Sequence, residues 1–377
     1  MSDLDTLLRG MESAGSSDLH LRSKIAPRYR IDGELHDVVG HSVLTSENIH
    51  ELCSDRLNAT QKRAWVALGV VNVGFSGTGA RFRACFFHDQ SGPAVSIRRL
   101  PQEIPSLQEL DLPEVIESFA HRKDGLVLVT GATGSGKSTT LAALIDVINS
   151  QYRKFIVTLE DPIELVHTCK KSIIHQRGVG YDILDFDSGV QSSSDLNPHV
   201  LMVGEMRHPE TIRLTLSAAE RGALVFSTLH ANSAVETIDR IIDAFPSREQ
   251  PLVRSMLAQS LAGVVSQALL RRGSGSGRIP ATEVLIANNA ITNLIRDGKT
   301  AEIYNMIQVG KSQGMHSLDD SLEQLLQRKE VDPEEALFYA VNKTRFERFA
   351  LPHLRPSSEP QSSTRPSRRS REPTSAA

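Results

Sequence analysis

Leu126-Val127-Leu128-Val129-Thr130-Gly131-Ala132-Thr133-Gly134-Ser135-Gly136-Lys137-Ser138-Thr139 joins three kinds of local pattern in one short run. Its first five residues are apolar or β-branched over the length of a buried strand. Gly131 to Ser138 then fits the spacing of a phosphate loop at every required position. Beyond it Leu141, Leu144, Ile145 and Ile148 recur at three- and four-residue steps, so a helix leaves the loop. Strand, glycine loop and helix N-terminus in that order make a cradle for anions. The glycines let successive N–H groups turn inward, and the helix adds its positive end. Lys137 is placed to reach the β- and γ-phosphates, and the Ser138 hydroxyl to hold a magnesium ion. The cradle as a whole runs Gly131, Ala132, Thr133, Gly134, Ser135, Gly136, Lys137, Ser138, Thr139, and it predicts a nucleotide as ligand. A glycine-rich turn with no ligand is the competing reading, and the three-part context argues against it.

Working toward the N-terminus, residues 1–98 read as a small α/β domain. Asp3 to Met11 carries Leu4, Leu7, Leu8 and Met11 at helical spacing. Leu19-His20-Leu21 and Tyr29-Arg30-Ile31 alternate as strands, with Asp32-Gly33 marking a hairpin. Ser46 to Leu57 predicts a helix capped by Thr45 or Ser46. Strands follow around Val70–Phe75, Arg81–Phe87 and Ala94–Leu100. Pro101 and Pro105 then mark a linker over 99–111.

Toward the C-terminus, residues 112–350 read as one unit. Leu126–Thr130, Phe155–Leu159, Val200–Val203 and Leu224–Leu229 are strand candidates alternating with helical segments. That pattern predicts a largely parallel sheet covered by helices. Pro209 opens a helix closed at Gly222, and Ser233 with Glu236 predicts a capping box. Gly273 to Gly277 is a flexible loop before a returning strand, Ile279–Ile286, and the pattern is helical from Asn288 to about Phe349. Residues 351–377 are rich in Ser, Pro and Arg, too poor in apolar side chains to bury a core, and read as disordered; Arg365, Arg368, Arg369 and Arg371 there are either solvated or contacts for an acidic partner.

Composition narrows the function classes. The 377 residues carry a formal net charge of −3, which supplies no global basic field for nucleic acid or lipid. Cys53, Cys85 and Cys169 are far apart and unpaired in spacing, which suits a reducing cytoplasm rather than a disulfide framework or structural zinc. The acidic start Met1-Ser2-Asp3 lacks the regions of a signal peptide. The most apolar longer stretch, Met256 to Leu270, is broken by Gln259, Ser260, Gly263, Ser266 and Gln267, too short and polar to span a bilayer.

A phosphate loop binds; hydrolysis also needs a group to position water and one to stabilise the transferring phosphoryl charge. Ligands of such sheets sit outside the strands' C-terminal ends, so acids there are the candidates. Glu160-Asp161-Pro162-Ile163-Glu164 follows one strand and Glu205 another. Glu160 and Asp161 could instead cap a following helix. His230 ends the strand Leu224–Leu229 and is either structural or catalytic. Arg83 and Arg98 would rate as ordinary surface arginines unless subunits assemble head-to-tail, where such groups can reach a neighbour's nucleotide.

Taken together, Ser17 to Leu21, Ile31-Asp32-Gly33, Ala80 to Arg83, Gly131 to Thr139, Thr158 to His167, Val203 to Arg207 and Ser227 to Ala234 occur in an order that resembles the secretion-superfamily hexameric ATPases, in particular their type IV pilus retraction (twitching-motility, PilT-like) group. The resemblance covers residues 1–350. It implies a PAS-like N-terminal domain, a RecA-like P-loop ATPase domain with a helical C-terminal part, and a homohexamer. By that likeness Lys137 and Ser138 are the Walker A pair, and Glu160 and Glu164 the acidic box, with Glu164 the favoured catalytic carboxylate. Glu205 is the Walker B glutamate, His230 the histidine-box residue, and Arg83 and Arg98 reach toward a neighbour's nucleotide. Ser138 and Glu160 would hold Mg2+. Ala290-Ile291-Thr292-Asn293-Leu294-Ile295-Arg296-Asp297 is close to the retraction group's C-terminal motif but altered at two positions. Gln191, Asp195, Asn197, Pro198 and His199 replace the charges usual before the Walker B strand, and Gly178 a usual glutamate. The likeness further implies an inner-membrane platform protein as partner, work at the cytoplasmic face of that membrane, and no nucleic acid. The alternatives are a nucleotide-binding accessory or weakly active paralogue beside another pilus ATPase, or a related secretion ATPase.

Overall fold

The computed structural model describes residues 4–350 apart from Asp32 and Gln102. Asp3 of the first expected helix, Asp32 of the expected hairpin turn and the Ser/Pro/Arg-rich tail with its four arginines therefore lie outside the described residues.

The first unit is an antiparallel sheet backed by helices. Strands β1 (Asp18–Arg22), β2 (Arg28–Ile31), β3 (Glu34–Asp37), β4 (Val70–Gly77), β5 (Ala80–Asp89) and β6 (Gly92–Leu100) lie in the order β3-β2-β1-β6-β5-β4. Alternation fixes which face is buried: Ala80, Phe82, Ala84 and Phe86 of β5 point inward. Onto that face pack helix α1 (Leu4–Ser13), through Leu4, Leu7, Leu8 and Met11, then α2 (Ser46–Cys53) and α3 (Ala59–Leu68). Thr45 caps α2 in a reciprocal box with Asn48. The helix stops at Cys53 rather than Leu57, passes through a short turn, and gives way to α3, which has its own cap, Asn58. Sequence pattern did not reveal α3 because only Gln61 and Trp65 of its residues are buried.

The second unit is a seven-stranded sheet in the order β13-β12-β7-β11-β10-β8-β9. Its strands are β7 (Gly125–Thr130), β8 (Phe155–Glu160), β9 (Ile173–Gly178), β10 (Val200–Val203), β11 (Leu224–Leu229), β12 (Leu261–Arg271) and β13 (Arg278–Ile286). All neighbours are parallel except β12 and β13. The four expected core strands are present, fully buried at β7 and β11. Two strands were not anticipated. β9 is a polar edge, Ile-Ile-His-Gln-Arg-Gly, with no apolar run to mark it. β12 hides in the stretch from Met256 to Leu270, which the structure divides between a helix ending at Ser260 and a strand beginning at Leu261. Gly263 sits in β12 because a Cβ there would lie 2.4 Å from the Phe119 ring.

Helices cover both faces of this sheet. On one lie α4 (Lys137–Gln151) and the turn Glu114–His121; on the other lie α5 (Phe186–Asp195), α6 (Pro209–Glu220), α7 (Ala234–Asp243) and α8 (Gln250–Ser260). Ser233 caps α7 as expected, but the reciprocal bond is displaced by one residue, with Glu236 accepting from the Asn232 N–H at 2.8 Å. The C-terminal part continues in α9 (Asn289–Arg296), α10 (Ile303–Val309), α11 (Leu318–Gln327), α12 (Pro333–Tyr339) and α13 (Lys343–Ala350). Leu318, Leu322, Ala336 and Phe346 of these helices close a small core over Leu270 and Ile279 of the antiparallel pair.

Candidate nucleotide site

The phosphate loop connects β7, central in the sheet, to α4. Gly134 and Gly136 have φ of +81° and +90°, a backbone conformation that L side chains rarely adopt. Gly131 is required for a second reason: a Cβ there would fall 2.2 Å from the Gln267 carbonyl oxygen on the adjacent strand β12. The Gln267 side chain braces the loop from behind. Its amide donates to the Ser135 carbonyl at 2.5 Å and accepts from the Thr140 hydroxyl at 3.0 Å. Lys137 Nζ donates to the carbonyls of Gly131 and Ala132, both at 2.9 Å. Burial lowers its pKa, and the Glu205 charge works against that shift. The buried Ser135 hydroxyl has no hydrogen-bond partner among the described residues. Ser138 is exposed at the first turn of α4.

Beside the loop opens a cavity of about 470 Å³. Ala132 to Ser135 form one side; Leu269, Arg278, Phe338 and Tyr339 form another. It combines a polar floor, a cation and two aromatic rings, which suits a heterocycle attached to phosphates.

The acidic half is built on β11, β10 and β8, whose parallel arrangement brings their C-terminal ends to one edge. Gly204 lets the chain after β10 pass close to β8, since a Cβ would lie 3.0 Å from the Leu159 carbonyl. Glu205 Oε1 then meets Arg207 Nε at 2.7 Å and His230 Nε2 at 3.3 Å. Arg240 donates to the His230 carbonyl and so ties the histidine turn to α7. The two residues expected at the ends of β10 and β11 are thus brought together, and Glu205 is the carboxylate whose charge reaches Lys137.

After β8 no helix begins: residues 161–172 form a loop with a cis Asp161–Pro162 peptide. The helix-capping alternative for Glu160 and Asp161 falls with that. Glu160 accepts from the Thr158 hydroxyl at 2.7 Å and the Gln176 amide at 3.0 Å. Burial raises its pKa. Both bonds go to its Oε1 and tie it to its own strand and to β9. Asp161 is also pushed upward by burial, opposed by Arg83 and Arg207.

Glu164 is completed by the other unit. Arg83 Nη1 on β5 meets its Oε1 at 2.6 Å. Arg81, two residues earlier on the same strand, donates twice to the Ile163 carbonyl, at 3.2 and 3.0 Å. Arg83 was expected to act on a neighbouring subunit; here it engages a carboxylate of its own chain. Arg98 is directly opposite Arg83 in the β5–β6 register, yet it turns away to Asp18 at 2.8 Å. Like charges facing across a sheet are destabilising unless each has a counter-charge. Here each has one. Burial acts against ionisation of Asp18, but hydrogen bonds from Ser17 and Arg98 and the charges of Arg98 and Arg30 hold its pKa below the usual value.

Sequence reasoning did not single out Gln176, Gln267, Arg81, Arg278, Phe338 or Tyr339. Gln267 left a trace as a polar break in an apolar run; the others gain their place only through packing of distant segments.

The Type II/IV secretion system protein family model matches residues 2–330. The type IV pilus retractation ATPase PilT of Pseudomonas aeruginosa is 42% identical over 335 residues, spanning 89% of this chain and 97% of that protein. A twitching motility protein of Neisseria gonorrhoeae is 42% identical over 317 residues, 84% of each. Among solved structures, the pilus retraction motor PilT with bound ADP superposes with a TM-score of 0.85 at 38% identity, over 92% of this chain and 100% of that one.

Proposed function

The chain belongs to the Type II/IV secretion system protein family, and on that premise we infer that it is the ATPase that drives type IV pilus retraction in twitching motility. The observation that carries the reading is the joining of a complete phosphate loop at Lys137 to Glu205 and His230 across adjacent parallel strands.

The roles follow from the contacts. The N–H groups of Gly131 to Thr139 receive the phosphates, and Lys137 leaves its two loop carbonyls for the β/γ oxygens. Such an exchange keeps the ammonium hydrogen-bonded throughout. The base enters the cavity between Leu269, Arg278, Phe338 and Tyr339. Ser138 and Glu205 offer the hard oxygens that suit magnesium, which when bound neutralises charge on the phosphates. Glu164 is the carboxylate that orients the attacking water, with His230 holding Glu205 in place. Arg83 accompanies Glu164, and Arg98, though bonded to Asp18 through Nε, keeps a largely exposed guanidinium that a neighbour in a hexameric ring could also meet. Asp161 feels the charges of Arg83, Arg207 and Glu205 and so couples the two acidic elements electrostatically.

Closure of the first unit over the second would then convert hydrolysis into movement, because Arg81 and Arg83 already grip the acidic loop from β5. No helix among the described residues is long and apolar enough to cross a membrane. In this reading force passes to the pilus through an inner-membrane platform protein at the cytoplasmic face, with a paralogous pilus ATPase as a second partner. The test is phosphate release from ATP by the purified chain. The parent should turn over, and Lys137→Ala should reduce turnover to background; equal rates would exclude the reading.

A further inference from the structure

One polar side chain met above only as a partner of Glu160 has both of its amide protons and its carbonyl oxygen engaged. Gln176 lies on the edge strand β9, beside Thr158 in the parallel register with β8. Its Nε2 donates to Glu160 Oε1 at 3.0 Å and to the Leu165 carbonyl at 2.8 Å. Its Oε1 accepts from the His167 N–H at 2.7 Å. The three partners bracket Glu164: one lies before it, one immediately after, one three residues on. Between Glu160 and Leu165 the chain has no regular structure, so its shape depends on such side-chain bonds.

We propose that Gln176 is a positioning residue for hydrolysis, clamping the loop that presents Glu164. The inference rests on the functional reading above and adds to it a residue that acts through Glu160, Leu165 and His167. A carboxamide suits the place because it offers two donors and one acceptor in a plane. Thr158 and the Glu164 N–H complete the ring around Glu160, so the carboxylate is the hub and Gln176 its outer brace. The half-buried His167 side chain, its pKa lowered to about 4 by desolvation, stays neutral near neutral pH and adds no competing charge. On the other side Arg81 and Arg83 hold Ile163 and Glu164 from the first unit. Loss of the clamp would leave those arginines holding a loop free to shift, and small misplacements of a water-orienting group cost large factors in rate.

The experiment compares the full-length parent with Gln176→Leu and Gln176→Glu, following ATP turnover from pH 6 to 8.5, ATP affinity by calorimetry and melting temperature. Gln176→Leu should lower kcat roughly tenfold to a hundredfold while the ATP Kd changes less than about threefold, because the phosphate loop is untouched. Gln176→Glu places two carboxylates in hydrogen-bond contact, a pair that binds one proton more tightly than either acid alone. Its deficit relative to the parent should therefore narrow as pH falls toward 6, when a shared proton replaces the lost N–H. A packing role alone would give a deficit that is the same at both ends of the range. That outcome, or kcat values for both variants within twofold of the parent, overturns the proposal and leaves the ATPase reading standing. A parent that releases no phosphate removes both.

Discussion

The two halves of the nucleotide site are held in different ways. The phosphate-loop half is self-contained: Gly131 to Thr140 are braced by Gln267 from the next strand and by the loop's own carbonyls on Lys137. The acidic half is assembled from four separate places, namely the ends of β8 and β10, the His230 turn and strand β5 of the first unit. Binding is thus local to one strand, loop and helix, while hydrolysis depends on how two units meet. Substitutions should sort accordingly, with loop changes altering affinity and acidic-half changes altering turnover at near-constant affinity.

The largest separation is expected at Glu205. Glu205→Gln keeps the shape but removes the charge that meets Arg207 and His230 and reaches Lys137. Turnover should fall about a hundredfold or more, whereas ATP should still bind within a few-fold of the parent affinity. A Glu205→Gln protein that loses affinity and turnover in equal proportion would show that the two halves are not separable.

Arg83 and Arg98 sharpen the same contrast, since they face one another in the sheet and serve different ends. The Arg83–Glu164 pair is well exposed, with side chains 43% and 29% accessible, so its contribution to stability is at most about 1 kcal/mol. Arg83→Ala should barely move the melting temperature and should lower kcat by roughly tenfold. Arg98 instead serves Asp18, whose side chain is only 5% accessible. Removing it leaves a buried carboxylate with Ser17 and a longer contact to Arg30, and should destabilise the first unit by about 1–3 kcal/mol. Thermal melts and turnover measured on both variants would separate them; reversed effects would break the assignment.

The self-contained half was readable from residues 126–148 alone, because strand, glycines, lysine and helix follow one another in sequence and each obeys a local rule. The acidic half was readable as a set of candidates but not as a geometry. Nothing in sequence spacing says that Arg83 selects Glu164 while its cross-strand neighbour Arg98 selects Asp18. That choice is made by the way β4 and β5 dock, where Gly74 admits the Ile163 carbonyl so closely that a Cβ would lie 2.9 Å from it. Glu160 shows the same limit: its place at the end of β8 was legible, but its partner Gln176 lies on an edge strand with no hydrophobic signature. The strand β12 shares that difficulty, since polar residues buried behind a loop, such as Ser266 and Gln267, read as interruptions.

The smallest expected effect tests whether the cavity wall belongs to the self-contained half or is a loose addition to it. Phe338 and Tyr339 reach the cavity from α12, and the helix that follows it, α13, is strapped to α11 by an ionic cluster. Asp320 lies at its centre, accepting from Ser317 and Arg345 and paired with Lys311 at 3.2 Å; Arg345 also bonds Glu323. Burial raises the Asp320 pKa, but these hydrogen bonds and the Lys311 charge outweigh it and bring the value down to about 2 from 3.8. The folded state therefore binds this proton less readily than the unfolded state. The stabilisation is present in full above pH 3.8 and is lost as pH falls toward 2. Asp320→Asn should lower stability at pH 7 by about 1 kcal/mol and raise the ATP KM a few-fold without changing kcat. The stability difference from the parent should close as unfolding is followed down toward pH 2–3. An unaltered KM would detach the C-terminal helices from nucleotide recognition, and the base would then be held by Leu269 and Arg278 of the sheet alone.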